Sequence, residues 1–334
     1  MLAEFELIDH FFKPLGRIGA QAKVPIGDDG AVWSDAMTYA DRVVATDTLI
    51  ESVHFPESTR PEAIAWKALA VNLSDLAAMG ATPTFYSLAL TLPQKHHNQA
   101  WLSRFALGLA RLAKQFQIPL VGGDTTRGPV LAVTITAQGW VRSGQAWLRS
   151  GAQVNDLIGV TGTVGDGGLG LHAVQVQADT PWQRARLKLN RPMPRVTFAQ
   201  AATGCMHSAI DCSDGFLADM THLLKASNKG AVLDYSTFPF SKEMHQALNQ
   251  NQFSPFFPLN AGDDYELILT FPSEAKAQVL AAGKASKTPV QIVGQVTSNE
   301  TLRLYDSKQR FAPKNIWSSA PASDNPEFLG YRHF

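Results

Sequence analysis

The chain has 334 residues, of which 45% are hydrophobic and 17% charged, so it is long enough for two ordinary domains and too apolar for an intrinsically disordered protein. Its 29 lysines and arginines balance 29 aspartates and glutamates, so no net field attracts nucleic acid or an anionic membrane; we expect neither partner, and any anion site must be built locally. No apolar run reaches the roughly 18 residues of a membrane helix, the start of the sequence lacks the features of a signal peptide, and the two cysteines have no metal-type spacing, so we expect a cytoplasmic protein.

The first half of the sequence alternates predicted strands and helices. Apolar residues at helical spacing predict helices over 4–13, 61–79 and 101–116. Pro61 suits the first turn of the second helix and Gly80 its C-terminal stop. Runs of strand-forming residues predict strands at 31–33, 42–46, 84–92, 118–121 and 130–141.

The second half continues the same alternation. Strands are predicted at 157–161, 208–210, 231–235, 266–271, 290–293 and 302–305, with helices that begin near Gly165, Pro194 and Gly215 and others around Lys242 and Ala275. The segment 149–152 has the composition of a turn between domains. We therefore predict an α/β protein with an N-terminal domain of residues 1–148 and a C-terminal domain of residues 149–334.

Acidic residues recur beside apolar residues and glycines, where solvated surface acids are uncommon. They are Asp28, Asp29, Asp47, Asp75, Asp124, Asp211 and Asp214. If these carboxylates converge in space, each like-charge pair at about 5 Å costs about 3 kcal/mol at an effective dielectric of about 20. Oxygen ligands select hard divalent cations, and a magnesium cluster of this kind most often serves a polyphosphate.

Each acidic residue also has an ordinary structural explanation. Asp28 and Asp29 fit a simple turn, Asp47 could cap a turn after its strand, and either Asp211 or Asp214 could be the N-cap of the helix near Gly215. A cap explains only one of that pair. Asp75 is harder to explain structurally, because aspartate is unfavourable inside an apolar helix. Asp124 follows two glycines and an apolar strand, which is where α/β proteins place ligand groups.

The glycine pattern 165–170 resembles a dinucleotide fingerprint only in part. The acidic residue expected about 20 positions further on is absent, so we interpret the segment as a Gly-rich turn at a helix N-terminus near phosphate. The sequence has no Walker A motif and no kinase catalytic loop. Cys205 and Cys212 are predicted to be buried thiols.

Several longer motifs occur in the order found in thiamine-monophosphate kinases, a family of the aminoimidazole ribonucleotide synthetase superfamily. They are Gly27-Asp28-Asp29, Ala45-Thr46-Asp47-Thr48, Val53-His54-Phe55, the run from Lys67 to Gly80, Gly122-Gly123-Asp124-Thr125-Thr126, Ile210-Asp211-Cys212-Ser213-Asp214-Gly215, Gly262-Asp263-Asp264-Tyr265-Glu266-Leu267 and the terminal Gly330-Tyr331-Arg332-His333-Phe334. The resemblance covers essentially the whole chain.

This resemblance implies a phosphotransferase that converts ATP and thiamine monophosphate to ADP and thiamine diphosphate. It also implies a homodimer of two-domain α/β subunits, in which the N-terminal domain binds ATP and Mg²⁺ and its sheet pairs across the dimer into a barrel, while the C-terminal domain completes the phosphate and substrate site. Several Mg²⁺ ions and ATP are the implied cofactors, and K⁺ is a further candidate. The implied metal ligands are Asp29, Thr46, Asp47, Asp75, Asp124, Asp211 and Asp214; the ATP contacts are Gly123, Asp124, Arg149 and Ser213; and the contacts to thiamine phosphate are His54, Asp263 and Tyr331.

The sequence departs from the family at two positions. Ala45 replaces a common serine beside Thr46 and Asp47, a change that would remove a hydroxyl ligand but not one made through the backbone carbonyl. Asp263 replaces a common glutamate, which would shorten a substrate contact or leave it bridged by water. Neither change removes a carboxylate of the expected metal cluster.

The expected reaction is direct in-line transfer without a general base, because the acceptor phosphate oxygen is already an anion at neutral pH. Two alternatives remain open. One is another ATP-using synthetase of the same superfamily, although such an enzyme has no reason for the 262–267 and Tyr331 motifs. The other is a non-catalytic module that binds Mg²⁺ and nucleotide.

Overall fold

A computed structural model describes residues 23–24, 28–34, 40–176, 182–308 and 317–318. The predicted helix 4–13 and the terminal motif with Tyr331 lie outside these residues. The described residues fall into two compact units. The first unit lies within Gly16–Ala146 and adds Asn190–Val196, and the second lies within Trp147–Leu189 and Thr197–Phe334.

The first unit contains a mixed sheet, whose described strands have the order β1-β2-β5-β3-β4. Its strands are β1 (Ala31–Ser34), β2 (Ala40–Ile50), β3 (Thr82–Leu92), β4 (Leu120–Arg127) and β5 (Ala132–Arg142). Neighbouring strands pair antiparallel except for β3 and β4, which are parallel. Among the described strands β4 therefore lies at one edge of the sheet.

One helix covers a face of this sheet, and a second helix packs on the first. Helix α1 (Pro61–Ala78) packs against β2, β5 and helix α2 (Gln99–Phe116), and it is buried on nearly every side, as its apolar sequence predicts. Proline at its first position and Gly80 with φ 68° just beyond its end match the predicted limits. Gly108 lets the two helices approach closely, because a Cβ there would lie 2.8 Å from the Ala65 Cβ.

The second unit contains a larger mixed sheet, whose described strands have the order β12-β11-β8-β10-β6-β9-β7. Its strands are β6 (Leu157–Thr161), β7 (Ser208–Cys212), β8 (Gly230–Asp234), β9 (Glu266–Phe271), β10 (Val290–Thr297), β11 (Leu302–Tyr305) and β12 (Trp317–Ser318). Its helices are α3 (Asp166–Gln175), α4 (Gln183–Asn190), α5 (Val196–Ala201), α6 (Phe216–Ser227), α7 (Lys242–Asn249), α8 (Phe257–Asn260) and α9 (Lys276–Ala285). The segment Asn190–Val196, from the last residue of α4 to the first of α5, is assigned to the first unit.

The core of the second unit lies between α6 and the central strands. Phe216, Met220, Leu223 and Leu224 of α6 are buried there with Ile210 of β7. This spacing places the apolar side chains on one face of the helix. With that face packed on the strands, the N-terminus of α6 lies a few residues after the end of β7. The turn between β7 and α6 is consequently held on both sides by packed elements.

Two strands continue through residues that were predicted to lie at or beyond their ends. Gly122, Gly123 and Asp124 lie inside β4, not after a strand, because parallel pairing with β3 continues through them. Gly123 has φ 155°, and a Cβ there would overlap with the carbonyl group of Leu88. Asp47 likewise lies within β2, which continues to Ile50. In the part of the chain that the structure describes, no helix is both long and apolar enough to cross a membrane.

Candidate functional site

Two predicted metal ligands of the first unit lie close together. Asp29, in the turn before β1, and Asp75, on α1, have carboxylate oxygens within 4.8 Å of one another. Gly30 brings this turn against β2, since a Cβ there would lie 3.0 Å from Val43 Cγ1. Two carboxylates at this separation repel by about 3 kcal/mol before solvent screening. Oxygen ligands of one Mg²⁺ lie about 4 Å apart or less, so the donor set fits a hard divalent cation after a small movement.

Asp47 is tied to the same helix through a buried amide. Its backbone N–H donates to Asn72 Oδ1 (3.1 Å), and Asn72 Nδ2 donates to the carbonyl of Ala68 (3.0 Å). Asn72 is fully buried on α1, one turn before Asp75. A spacing of three residues places Asn72 and Asp75 on one face of the helix, but the sequence analysis did not identify Asn72 as a bridge to β2. A polar residue inside an apolar helix was the available signal.

Thr46 and Asp124 are placed differently from Asp29 and Asp75. Successive side chains of a strand point to opposite faces, so Thr46 is exposed on the face away from α1, and its hydroxyl donates to Thr136 Oγ1 (3.0 Å). Asp124 is exposed on β4. Among the described residues, neither Asp47 nor Asp124 forms a group of three carboxylates within 4.8 Å with Asp29 and Asp75.

The turn after β2 fixes the orientation of His54. The backbone N–H of Ile50 donates to His54 Nδ1 (3.0 Å), so in the neutral ring the proton is carried by Nε2. The buried Lys67 of α1 donates to the backbone carbonyl of His54 (3.2 Å). Glu51 anchors the start of the turn through Lys95 (2.9 Å) and His96 (3.0 Å). Burial raises the pKa of Glu51, but hydrogen bonds from His96 and Lys95 outweigh this effect and hold it below its ordinary value.

In the second unit, the turn between β7 and α6 is organised by a residue outside the predicted set. Asp219 Oδ2 accepts the backbone N–H groups of Ser213, Asp214 and Gly215, each at 3.1 Å. The alternative that Asp211 or Asp214 caps α6 is wrong, because the N-cap residue is Gly215 and no side-chain cap hydrogen bond is present there. Burial, and then the charges of Asp214 and Asp211, raise the pKa of Asp219 well above its ordinary value, while the backbone hydrogen bonds lower it.

The predicted substrate residue Asp263 is attached to this turn. Its backbone N–H donates to the carbonyl of Ser213 (2.8 Å), and the N–H of Tyr265 donates to the carbonyl of Cys212 (2.8 Å). Asp263 and Tyr265 both have positive φ values, 67° and 51°, which are uncommon for residues with a side chain. The Tyr265 hydroxyl donates to Asp263 Oδ1 (3.1 Å). The residues proposed for ATP and for thiamine phosphate thus share one backbone network in this unit.

The Gly-rich turn before α3 is used internally. Gly165 and Gly167 donate their N–H groups to the two carboxylate oxygens of Asp264 (2.5 and 2.9 Å). These amides are therefore already bound to an anion, which corrects the interpretation of the turn as a phosphate site. Lys188 Nζ lies 3.6 Å from Asp264 and 3.2 Å from Glu266 and also donates to the carbonyl of Thr163. Burial raises the pKa of Asp264 to about 7, although Lys188 acts in the opposite direction.

Arg149 lies on a turn that is anchored to the far end of α6. The Ser227 hydroxyl donates to the carbonyl of Arg149 (2.9 Å) and accepts the N–H groups of Gly151 and Ala152 (3.2 and 3.1 Å). Burial, and then the charge of Arg149, lower the pKa of His222 on α6 to about 4, so this histidine is neutral at physiological pH. Helix α6 thereby connects the segments that carry Arg149, Ser213 and Asp214.

Of the two cysteines, Cys212 is buried as predicted, and burial raises the pKa of its thiol well above the ordinary value. Cys205 is only half-buried. Neither thiol belongs to the candidate site.

Comparison with known proteins identifies the family. The model of the AIR synthase related protein N-terminal domain matches residues 27–141, and that of the C-terminal domain matches residues 153–307. The thiamine-monophosphate kinases of Escherichia coli (strain K12) and Haemophilus influenzae are 39% and 38% identical; the matches cover 89% and 88% of this chain and 91% and 89% of theirs.

Solved structures agree with these matches. The crystal structure of thiamine-monophosphate kinase from Stenotrophomonas maltophilia K279a is 38% identical, with a TM-score of 0.76, and covers 91% of this chain and 96% of its own. The structure of AaThiL complexed with AMPPCP and TMP is 27% identical, with a TM-score of 0.80, and covers 95% of this chain and 97% of its own. With its two-domain α/β fold of mixed sheets, this chain belongs to the thiamine-monophosphate kinase family of the AIR synthase related proteins.

Proposed function

We propose that this enzyme transfers the γ-phosphoryl group of ATP to thiamine monophosphate, giving ADP and thiamine diphosphate. The observation that carries the proposal is the pair of carboxylates Asp29 and Asp75, held within 4.8 Å in a chain of this family. A related structure, AaThiL, matches this chain over nearly its whole length and is complexed with AMPPCP, an ATP analogue, and TMP. These two ligands match the two substrates of the proposed reaction.

The proposed Mg²⁺ ligands are Asp29, Thr46, Asp47, Asp75, Asp124, Asp211 and Asp214. The buried Asn72 holds the backbone at Asp47, and Gly30 holds the turn of Asp29 against the sheet. Thr46 would contribute through its backbone carbonyl, because its hydroxyl lies on the opposite face of β2 from Asp47. Ala45 is compatible with this arrangement, since a carbonyl ligand needs no hydroxyl at that position. When bound, Mg²⁺ neutralises the phosphates and orients them for in-line displacement.

We propose that ATP contacts Gly123, Asp124, Arg149 and Ser213. Both backbone polar groups of Ser213 already have partners inside the unit, so its contact with ATP would come from the hydroxyl. The planar guanidinium of Arg149 can bind a phosphate through two parallel hydrogen bonds. Gly123 leaves the backbone of β4 without a side chain beside Asp124, which permits close approach of a ligand.

We propose that thiamine monophosphate contacts His54, Asp263 and Tyr331. Because the N–H of Ile50 donates to Nδ1, the neutral His54 ring carries its proton on Nε2, and an N–H group of this kind suits a phosphate oxygen. Asp263 is shorter than the common glutamate, but its positive φ and its bond to Tyr265 hold its carboxylate in one orientation. Tyr331 would stack on the thiamine rings.

The proposed chemistry requires positioning more than proton transfer. The attacking phosphate oxygen is an anion at neutral pH, so no general base is assigned. The main barrier is repulsion between the triphosphate of ATP and the phosphate of thiamine monophosphate, and the protein contributes by holding them in line and by placing positive charge where negative charge collects.

We further propose that the enzyme is a cytoplasmic homodimer in which β4 pairs with its counterpart and the two N-terminal sheets form a barrel. Every residue of β4 is exposed, including Leu120 (47%) and Val121 (58%). An exposed apolar strand at a sheet edge favours pairing with another strand. Light scattering during size-exclusion chromatography would give the mass of wild type and Val121→Lys; a monomeric wild type would contradict the dimer.

The function is tested by coupled ADP release with thiamine monophosphate, with thiamine, and with no acceptor, each with Mg²⁺ and in K⁺ or Na⁺ buffer. We expect release only with thiamine monophosphate, and we expect Asp211→Asn to reduce kcat by about 100-fold or more while it remains folded. ADP release without thiamine monophosphate would favour another synthetase of the superfamily. Nucleotide binding without release would favour the non-catalytic module.

A further inference from the structure

Asp219 has an unusual relation to the turn that precedes its helix. It lies on α6, is 3% exposed, and uses a single carboxylate oxygen to accept three successive backbone N–H groups, from Ser213 to Gly215. Three amides directed at one point form an anion-binding concavity, and a helix N-terminus favours an anion in the same place. Here the anion is a side chain of the same helix. The backbone of this turn is therefore held rigid and is not offered to a phosphate.

A second set of bonds holds the turn from the opposite side. The carbonyl of Ser213 accepts the N–H of Asp263 (2.8 Å), and the carbonyl of Cys212 accepts the N–H of Tyr265 (2.8 Å). Gly262 packs directly on the turn, since a Cβ there would lie 3.2 Å from the carbonyl carbon of Asp214. With its backbone bound on both sides, the turn has little freedom except in the side chains of Ser213 and Asp214.

We propose that Asp219 is a positioning residue for phosphoryl transfer: its carboxylate sets the turn so that the Ser213 hydroxyl and the Asp214 carboxylate meet Mg·ATP. This inference rests on the proposed function, which assigns those two side chains to the nucleotide and its cations. Asp219 itself touches neither substrate. Its effect passes through the three backbone N–H groups that donate to one of its carboxyl oxygens.

Simple helix capping is the competing explanation, and it predicts a loss of stability alone. Asp234 provides a matched control, because it is also buried in the second unit and accepts the backbone N–H groups of Ser236 (3.0 Å) and Ser307 (3.2 Å). The turn that Asp234 holds carries none of the proposed site residues. Asp234→Asn should therefore alter stability without altering nucleotide binding.

The test compares wild type, Asp219→Asn and Asp234→Asn in the full-length protein. Calorimetry measures the Kd of AMPPCP with Mg²⁺, steady-state assays measure KM for ATP and the Mg²⁺ concentration for half-maximal rate, and thermal unfolding measures Tm. For Asp219→Asn we expect Kd, KM and the half-maximal Mg²⁺ concentration to rise about 10- to 100-fold. For Asp234→Asn we expect these three values to stay within twofold of wild type.

Specific coupling is tested with Ser213→Ala. If Asp219 acts through this turn, adding Ser213→Ala to Asp219→Asn should raise the Kd of AMPPCP by no more than about twofold. The reason is that the two changes remove the same interaction. Fully additive losses would overturn the proposal. If Asp219→Asn does not fold, Asp219→Glu keeps the carboxyl group and displaces it by one methylene, and it should show the same rise in Kd; a wild-type Kd would overturn the proposal.

The outcomes separate this inference from the proposed function. A wild-type protein that binds AMPPCP but releases no ADP with thiamine monophosphate contradicts the function, while the Kd comparison still decides the role of Asp219. A wild-type protein that is active, with Asp219→Asn unchanged in Kd and in Mg²⁺ dependence, contradicts the positioning role alone. Equal changes in Asp219→Asn and Asp234→Asn also contradict it.

Discussion

Replacing Asp75 by asparagine is expected to stabilise the metal-free protein and to abolish most of its stabilisation by Mg²⁺. The Asp75 and Asp29 carboxylate oxygens lie within 4.8 Å, which corresponds to a repulsion of about 3 kcal/mol at an effective dielectric of about 20. Both residues are only half-buried, so solvent and salt reduce this to about 1–2 kcal/mol. For a domain of this size each kcal/mol changes Tm by about 2–4 °C, so we expect a rise of about 2–8 °C.

The assay is thermal unfolding followed by circular dichroism, first in EDTA and then with increasing Mg²⁺. Mg²⁺ should raise the Tm of wild type, because the ion binds the folded state and relieves the repulsion. At an Mg²⁺ concentration 100 times the dissociation constant, the free energy of unfolding should increase by up to about 3 kcal/mol. Asp75→Asn should begin at a higher Tm and gain much less. The Tm in EDTA thus reports the stability of the variant, and the increase in Tm with Mg²⁺ reports its binding of the ion.

A matched control is available in the same unit. Asp41 is a buried acidic residue that pairs with Lys23 (2.7 Å) and accepts the N–H of Gly144 (2.9 Å). Asp41→Asn should therefore lower Tm in EDTA and leave the Mg²⁺-induced gain intact. The reasoning is refuted if Asp75→Asn is less stable than wild type in EDTA and shows an unchanged gain with Mg²⁺.

Three further predictions concern other parts of the site. The pKa of Asp264 is raised to about 7 from an ordinary 3.8, so its contribution to stability is full below about pH 4 and is lost as pH rises through 7. Urea unfolding should show the stability of Asp264→Asn relative to wild type increasing from pH 5 to pH 8, by at most about 3 kcal/mol; a constant difference would contradict the linkage. Gly123→Ala should lose about 1–3 kcal/mol of stability and should bind nucleotide more weakly, because its Cβ would lie 2.7 Å from the Leu88 carbonyl carbon. Gly122→Ala should resemble wild type, because no atom lies within 4 Å of its Cβ. Lys67→Met should raise KM for thiamine monophosphate about 10-fold with little change in KM for ATP, because Lys67 holds the carbonyl of His54, and equal changes in both KM values would argue against that role.

Local signals were sufficient where an element is determined by its own residues. Helix α1 was predicted within one residue of its limits because proline at its first position and Gly80 beyond its end act locally. Strand β4 was not predicted correctly, since two adjacent glycines usually end a strand. Pairing with β3, which lies about thirty residues earlier in the chain, extends β4 through both of them.

Two residues of the site were missed, one that local sequence signals could have indicated and one that depends on residues distant in the chain. Asp219 could have been found, because it lies beside Leu217 and Met220 in an apolar helix, the argument that singled out Asp75. Asp264 could not, because its partners Gly165 and Gly167 lie 99 and 97 positions away and are joined to it only by folding. The Gly-rich turn was accordingly misread as a phosphate site.

The amino-acid sequence by itself determined the residue types, their order and the glycines between them, and this was enough to indicate the family and a chemistry of carboxylates, cations and phosphates. Only the tertiary structure decided which carboxylates lie close to one another and which are bound to backbone amides of the protein. Asp29 and Asp75 face each other, whereas Asp219 and Asp264 each bind backbone amides. The reason is that the charge and role of a carboxylate depend on its distance to neighbouring groups and on its access to water, and residues far apart in the sequence set both.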